Sequence, residues 1–290
     1  MNYRITHRTV YEYSEPVTVS HHAARLEPRS LAHQQRGAFS LRISPEPTLR
    51  KERTDYFGNR VCFFSIQELH QRFEVVAESR VAVAEVTPPV VTLSPPWEAV
   101  VKLFSDPVSP AVVEPYQFVF DSPCATVLPE LADYGQESFQ PGTPLLVAVA
   151  DLNRRIFEDF KYDPVATTVA TPLTEVLEHR RGVCQDFAHL AIATLRSQGL
   201  AARYVSGYLR TRPPEGKERL VGADASHAWF SAFCPDLGWV DFDPTNNLLP
   251  AAEHITVALG RDFGDVSPVS GVLTGGGEHV VKVSVDVQPL

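Results

Sequence analysis

The sequence predicts an α+β protein, in which a small antiparallel β region precedes a core of helices packed on an antiparallel sheet. Two features of the hydrophobic pattern predict this architecture. Apolar and polar residues alternate through much of residues 1–86, which is the period of a half-buried strand. After residue 140 the apolar residues recur every three or four positions, as in helices, and strand-like runs then return.

The N-terminal β region spans residues 1–86 and opens with a clear alternation. Tyr3, Ile5 and Tyr11 occupy odd positions, with mostly polar residues between them. Further strand-like runs lie at residues 38–43, 60–66 and 73–83. The turn-forming residues at 55–59 separate two of these runs, so a set of antiparallel strands is expected. Nothing in this region has the pattern of a catalytic site.

A proline-rich connecting segment follows at residues 87–139. Nine of the 24 prolines fall between residues 87 and 130. That density rules out one long helix or a central strand, because proline lacks the backbone N–H that both require. The pattern favours a plain linker over a lid that closes on a ligand.

The predicted core spans residues 140–260. Helices are expected at 144–160, at a short segment that Thr171 caps and Pro172 begins, and at 183–198, where Gly199 ends the helix. Strands are expected at 202–209, 227–234 and 239–243. Residues 261–290 form a C-terminal β extension, whose strand-like run at 280–287 can return to the N-terminal β region.

The charge balance disfavours nucleic acid and anionic membranes as partners. The chain has 26 Lys and Arg against 35 Asp and Glu, for a formal net charge of −9. Nucleic-acid affinity comes mainly from basic side chains that neutralise phosphates. The sequence shows no apolar run typical of a signal peptide or a membrane-spanning helix, so a cytoplasmic protein is expected.

The four cysteines have no spacing that would form a zinc site, and without an export signal they are expected to be free thiols. Cys62, Cys124 and Cys234 are interpreted as packing residues. Cys184 differs because it falls at the start of the predicted helix at 183–198. The helix dipole and unpaired N–H groups there favour a thiolate, which makes Cys184 a candidate nucleophile.

His227 and Asp243 supply the partners that a thiol nucleophile needs. His227 begins one predicted strand and Asp243 ends the next, so an imidazole can accept a proton on one nitrogen while a carboxylate holds the other. Cys, His and Asp thus occur in an order that can form a thiol triad. Asp241 lies on the same face as Asp243, and Asn246 or Asn247 is an amide alternative, so the third member stays open at this point.

The turn between these two strands tests the triad. If residues 235–238 formed the whole turn, Asp243 would pair with Phe230 and lie on the face opposite His227. A turn with an odd number of residues, or a β-bulge, would pair Asp243 with Trp229 instead. Asp243 would then be a diagonal neighbour of His227, at roughly 7–8 Å between backbones. The triad therefore predicts an irregular turn.

Four motifs in order resemble the bacterial transglutaminase-like superfamily. They are GVCQDFA at 182–188, AARYVSGY at 201–208, SHAW at 226–229 and GWVDFDPT at 238–245. Residues 3–13, 55–59 and 260–266 resemble that family's β-rich N-terminal domain and C-terminal extension. The resemblance implies a papain-like core that transfers acyl groups through a thioester, with Cys184, His227 and Asp243 as the catalytic residues.

The expected reaction is cysteine-dependent acyl transfer on a peptide or amide substrate. Cys184 attacks the carbonyl, His227 moves the proton, and Asp243 fixes the imidazole tautomer. The Cys184 backbone N–H would hold the oxyanion, and Tyr162 is a candidate second donor, although packing is the more common role for such a tyrosine. A peptidase or amidase is favoured, with a transglutaminase and a non-catalytic binding module as alternatives.

No cofactor or metal is expected. Adjacent histidines on a strand, such as His21 and His22, face opposite sides, and His189 is about 140° around its helix from Cys184. These positions and His179 therefore do not suggest a metal site. No D-x-D-x-D-G loop occurs, so the calcium requirement of the animal transglutaminases is not carried over.

Overall fold

The computed structural model describes residues 1–105, 110–211 and 225–290. The strands in these ranges are β1 (Asn2–Ala24), β2 (Gln34–Ser44), β3 (Leu49–Thr54), β4 (Arg60–Ile66), β5 (His70–Val83), β6 (Lys161–Tyr162), β7 (Arg181–Gly182), β8 (Ala202–Leu209), β9 (Ala225–Cys234), β10 (Gly238–Phe242), β11 (His254–Gly260), β12 (Val269–Gly275) and β13 (His279–Pro289). The helices are α1 (Trp97–Ser105), α2 (Pro110–Tyr116), α3 (Pro129–Gln136), α4 (Leu145–Asp159), α5 (Leu173–His179), α6 (Cys184–Ser197) and α7 (Phe263–Val266). The predicted α+β class is confirmed.

The first sheet is built around β1. Its strands follow the order β2-β5-β1-β4-β3, and β12 and β13 also pair with β1. β1 is 23 residues long and alternates buried and exposed side chains, as its sequence pattern predicts. It runs well beyond the predicted alternation because its two halves use different partners: Tyr3 pairs with Val81 of β5, whereas His22 pairs with Phe64 of β4.

The C-terminal strand β13 lies against the first half of β1. The antiparallel register runs without a break from Tyr3 opposite Pro289 to Tyr13 opposite His279. Val285 and Val287 on β13 are buried and belong to the same apolar cluster as the helices of the core. The end of the chain therefore joins the sheet that its beginning forms.

The proline-rich segment is not a plain linker, and that interpretation was wrong. It contains α1, α2 and α3, and Phe104 and Leu131 are buried in the main apolar cluster. Pro129 is the first residue of α3, where proline costs nothing because the first-turn N–H groups have no helical partner. This proline begins a helix rather than preventing one.

The core packs α6 against an antiparallel sheet with strand order β10-β9-β8-β11. Along β9, Ala228, Phe230 and Ala232 belong to the apolar cluster that also contains Phe187 and Leu190 of α6. β8 has its predicted bounds, and α4 and α6 lie within one residue of theirs. α5 starts one residue later than expected, with Pro172 rather than Thr171 at its cap.

The hairpin from β9 to β10 has the irregular turn that the triad predicted. Gly238 pairs with Cys234 and Phe242 with Phe230, so residues 235–237 form a turn of three. Asp236 and Gly238 have positive φ of 68° and 75°, which closes the turn in the left-handed region. In this register Asp241 pairs with Ser231, on the face of β9 that also carries His227, and Asp243 follows two residues later, directly after β10.

Among the helices in the described ranges, none combines the length and the apolar character needed to cross a membrane.

Candidate active site

Cys184 is the first residue of α6, where the preceding chain holds the helix end in place. Val183 is the N-cap residue, and its N–H donates to Asp186 Oδ2 at 2.8 Å. That contact is the acidic half of a capping box, which satisfies a backbone group that the helix leaves unpaired. Thr167 also donates to Asp186 Oδ2, at 2.6 Å, and thereby ties the segment before α5 to the helix start.

Gly182 makes this tight helix entry possible. A Cβ atom at Gly182 would lie 2.7 Å from Asp186 Oδ2 and 2.9 Å from Asp186 Cβ, too close for any other residue without a shift. Gly182 also forms the two-residue parallel strand β7 beside β6, opposite Tyr162. The glycine therefore allows the capping carboxylate to approach the chain that leads into Cys184.

His227 and Asp243 meet across the β9–β10 hairpin. His227 Nε2 lies 2.7 Å from Asp243 Oδ2. His227 is 7% exposed and Asp243 is fully buried. Because the carboxylate occupies Nε2, the ring atom left for a reacting group is Nδ1.

The Asp243 carboxylate is saturated with donors. Oδ2 accepts from His227, from His254 Nε2 at 3.0 Å and from Asn246 Nδ2 at 2.7 Å, while Oδ1 accepts the backbone N–H groups of Thr245 and Asn246. Burial alone would raise the pKa of Asp243, but the hydrogen bonds from His227 and His254 outweigh it and hold that pKa well below its usual range. Asp243 is therefore an anion at neutral pH.

His227 and Cys184 lie close enough to influence each other. Burial lowers the pKa of His227, but hydrogen bonding with Asp243 and with Cys184 outweighs burial and raises the pKa to about 10. The imidazole therefore favours its charged form beside the thiol. The structure thus brings together Cys184, His227 and Asp243.

Asp241, the alternative acid, accepts hydrogen bonds from two other residues, Trp229 and Ser231. Its Oδ2 accepts from Trp229 Nε1 at 3.1 Å, and its Oδ1 accepts from the Ser231 hydroxyl. Asn247 accepts from Asn153, whereas Asn246 bonds to Asp243. Of the candidates for the third position, Asp243 is the one hydrogen-bonded to His227, with Asn246 supporting it.

Two tyrosines lie near Cys184. Tyr162 is 52% exposed, and burial together with the nearby Cys184 raises the pKa of its hydroxyl. Tyr204 on β8 is buried, and burial, followed by the proximity of Cys184, raises its pKa well above the usual value. Both hydroxyls therefore keep their protons and can donate. Tyr204 was not singled out from the sequence, since it has the ordinary pattern of a core strand residue.

His254 is the residue at this site that the sequence reasoning missed. It begins β11, is 6% exposed and reaches Asp243 from a strand on the far side of β8. A histidine followed by an apolar run carries no local signal of such a role. Only the packing of β11 against β8 brings it to the carboxylate.

Cavities flank the site on two sides. One of about 360 Å³ adjoins the start of α6 at Gln185 and extends to Thr171 and Cys124. Another of about 470 Å³ lies behind the hairpin, where His254, Trp229 and the proline-rich segment line it. The first cavity is lined by Gln185, the residue that follows Cys184, and by His189 one turn further along α6.

Within residues 1–105, 110–211 and 225–290, the one cluster with metal-ligand geometry is His227, Asp243 and His254, whose ligand atoms all lie within 4.8 Å of one another. In this arrangement both imidazoles donate to the same carboxylate oxygen, so the atoms that would bind a metal ion are used for hydrogen bonds. His21 instead contacts the Ser65 hydroxyl, and His189 accepts from the Phe263 N–H.

The other cysteines have the environments of packing residues. All four cysteines are free. Cys62 and Cys234 are buried, and burial raises the pKa of both thiols, to about 11 for Cys234. Burial, followed by nearby Asp262, also raises the pKa of Cys124. These three thiols are therefore poor nucleophiles at neutral pH.

Comparisons with known proteins indicate the family of this chain. Residues 3–82 match the bacterial transglutaminase-like N-terminal region, and residues 132–244 match the transglutaminase-like superfamily. An uncharacterized protein of Mycobacterium tuberculosis is 42% identical over 295 residues, covering 99% of this chain and 92% of that protein. A protein-glutamine gamma-glutamyltransferase of Pseudomonas aeruginosa is 31% identical over 103 residues, which is 33% of this chain and 15% of that protein.

The fold has a solved counterpart. The crystal structure of a suspected cysteine protease from Cytophaga hutchinsonii superposes with a TM-score of 0.76 at 21% identity, covering 99% of this chain and 90% of the other. At that identity the likeness concerns the fold, including the β region that precedes the core.

Proposed function

Because the chain belongs to the bacterial transglutaminase-like superfamily, we propose that it is a thiol enzyme that transfers acyl groups from amide bonds through a thioester on Cys184. The observation that carries this proposal is the contact of His227 with both Cys184 and a buried, multiply hydrogen-bonded Asp243. A histidine with a purely structural role does not need an anionic acid on one side and a thiol on the other.

The first half of the reaction forms the thioester. The Cys184 thiolate attacks the carbonyl carbon of the amide, and the electron pair of the C=O bond moves to oxygen. When the tetrahedral species collapses, the C–N bond breaks and His227 Nδ1 gives its proton to the leaving amine. The products of this half are an acyl-thioester on Cys184, a free amine or ammonia, and a neutral imidazole.

The oxyanion of the tetrahedral species needs two donors. The backbone N–H of Cys184, at the start of α6, is the first, because first-turn N–H groups have no helical partner. The Tyr162 hydroxyl is the proposed second donor. Its place opposite Gly182 and its raised pKa, which keeps the proton on the oxygen, support that role.

The second half resolves the thioester, and we favour water as the acceptor. Neutral His227 takes a proton from water, the hydroxide attacks the thioester carbonyl, and the C–S bond breaks to regenerate the thiolate. Hydrolysis needs no acceptor site, which makes a peptidase or amidase the simpler proposal. Transfer to a primary amine uses the same residues and is the alternative, and the name of the Pseudomonas aeruginosa relative favours it.

An ammonia-release assay tests the proposal. Glutamine-containing peptides and small amides would be incubated with wild type and with Cys184→Ala, with and without a primary amine. Wild type should release ammonia from primary amides, or a new amino terminus from peptide bonds, and the variant should release neither, with a loss on the order of 10⁴-fold or more. If the amine leaves the free acid as the main product, the enzyme is a hydrolase. If an N-substituted amide replaces the acid, it is a transglutaminase.

The same assay covers the non-catalytic alternative. Cys234→Ala removes a thiol that lies outside the site and serves as the matched control, and it should retain full turnover. Equal turnover by wild type and Cys184→Ala would contradict the role of Cys184, and no turnover by wild type would favour a binding module on the same fold.

We also propose a cytoplasmic location and a peptide or amide as the partner, without nucleic acid. The free thiols fit a reducing compartment, and the net charge of −9 opposes phosphate binding. Immunodetection of the protein in separated cell fractions tests the location, and recovery outside the cytoplasmic fraction would contradict it.

A further inference from the structure

The candidate acid Asp243 is held by two imidazoles. His227 Nε2 and His254 Nε2 lie 2.7 Å and 3.0 Å from the same atom, Asp243 Oδ2. His227 lies on β9 and His254 on β11, and these two strands flank β8 on opposite sides. A thiol triad needs one imidazole at its acid, so the second one requires an explanation.

Within the described residues, the side chain of His254 makes one hydrogen bond, to Asp243 Oδ2. The residue is 6% exposed, and the Trp229 ring packs edge-on at 5.2 Å from its ring. Its Nδ1 is buried, and no residue in the described part of the chain is hydrogen-bonded to it. Since a carboxylate accepts only, Nε2 carries a proton and donates to Asp243.

We propose that His254 is a positioning residue that acts through Asp243. Its Nε2–H holds Oδ2 in line with His227, so that the carboxylate keeps the catalytic imidazole in one tautomer and one orientation. This inference rests on the proposed acyl-transfer function, because it assigns a part in the same reaction to a residue that does not touch the substrate.

The contacts favour positioning over a purely structural role. The backbone N–H of His254 bonds to Ala251, and β11 pairs with β8 through its main chain, so the strand does not need the imidazole. The side chain bonds to the oxygen that His227 uses. The other oxygen, Oδ1, is held by backbone N–H groups of Thr245 and Asn246. Donors on both oxygens fix the rotation of the carboxylate about its Cβ–Cγ bond.

Two substitutions separate the hydrogen bond from the packing. His254→Leu keeps an apolar side chain of similar size but removes the donor, whereas His254→Gln places an amide N–H close to the position of Nε2. We expect kcat to fall about tenfold or more in His254→Leu, with KM within about twofold of wild type, because a buried hydrogen bond to a charged group is lost. His254→Gln should recover most of that loss.

His7→Leu is the matched control. His7 is 2% exposed and hydrogen-bonds through Nε2 to the Thr9 hydroxyl at 2.9 Å, away from Asp243. Its loss should lower stability to urea but leave kcat unchanged. If His254→Leu does not fold, His254→Asn replaces it, since the shorter amide does not reach Oδ2 and should show the same loss.

A spectroscopic measurement distinguishes failure of this inference from failure of the proposed function. In protein labelled with ¹⁵N-histidine, the ring proton shared by His227 and Asp243 should resonate far downfield. It should move upfield in His254→Leu and stay in place in His254→Gln and His7→Leu.

An unmoved proton together with unchanged kcat in folded His254→Leu would overturn the positioning role. A wild type without turnover would instead overturn the proposed function, and the proton signal would still decide the role of His254.

Discussion

Two buried histidines in different regions of the molecule have opposite acid–base character. His22, in the N-terminal sheet, is 8% exposed and His227, in the core, is 7% exposed. His22 stacks on Phe73 at 4.4 Å between ring centroids, and burial, with smaller effects of His70 and His21, lowers its pKa to about 4. Hydrogen bonding with Asp243 and Cys184 raises the pKa of His227 to about 10.

The difference shows that burial alone makes an imidazole neutral, and that an acid must be placed beside it to reverse the effect. The N-terminal sheet surrounds its histidine with aromatic rings and uses it as a packing residue. The core places its histidine between a carboxylate and a thiol. The hydrogen-bond partners of a buried histidine, and not its exposure, therefore distinguish the candidate site from the packing of the N-terminal sheet.

The largest expected effect comes from removing the charge of Asp243, which reverses the effect of burial on the pKa of His227. Asp243→Asn should lower kcat on the order of 10³–10⁴-fold, because the imidazole loses its anionic partner and its fixed tautomer. Asp241→Asn is the control, since Asp241 bonds to Trp229 and Ser231. Steady-state kinetics of both variants would decide between the two acids. A larger loss in Asp241→Asn would show that the triad is wrongly assigned.

The pH dependence of stability should differ in sign between the two histidines. The pKa of His22 is about 4 when folded and 6.5 when unfolded, so the protein loses stability as the pH falls from 6.5 towards 4. The expected loss is roughly 3 kcal/mol. His22→Phe should make the acid loss smaller by this amount in urea titrations, while His7 and His189, whose pKa values burial also lowers to about 4, keep their own contributions. An acid limb that is unchanged in this variant would contradict the neutral state of His22.

His227 should give the opposite pH dependence, a loss of stability at alkaline pH. Its folded pKa of about 10 lies above 6.5, so its contribution to stability is complete below pH 6.5 and disappears as the pH rises to about 10. His227→Gln should remove this alkaline loss while leaving the acid limb of His22 in place. Identical curves above pH 7 for wild type and variant would show that His227 carries no raised pKa.

A smaller effect is expected at Asn246. Its side chain donates to Asp243 Oδ2 at 2.7 Å, as one of three side-chain donors to that oxygen. Asn246→Ala should lower kcat about fivefold, equivalent to about 1 kcal/mol for one hydrogen bond. Asn247→Gly, which removes an amide that bonds to Asn153 and suits the positive φ of 51° at this position, is the matched control and should be near wild type. Equal losses in both variants would indicate a general effect on the loop.

The sequence was sufficient for the parts of the site that depend on local pattern. Helix periodicity placed Cys184 at the start of α6, and strand parity required a turn with an odd number of residues or a β-bulge, which the structure shows as a turn of three. Both conclusions use the fixed periods of helices and strands. They need no knowledge of how distant elements pack.

The rest depended on contacts between segments far apart in the chain. His254 reaches Asp243 only because β11 pairs with β8, and Tyr204 lies near Cys184 only because α6 packs on the sheet. The helices in the proline-rich segment were missed because proline was taken as a helix breaker. Pro129 instead occupies a first helical position, where proline is favoured.

The rate at which iodoacetamide alkylates Cys184 at pH 6, in wild type and in His227→Gln, tests the central claim most directly. If His227 and Asp243 activate the thiol, Cys184 in wild type should react faster than free cysteine at this pH, where a free thiol is almost fully protonated. His227→Gln should abolish that advantage. Equal rates for wild type, His227→Gln and free cysteine would contradict the account.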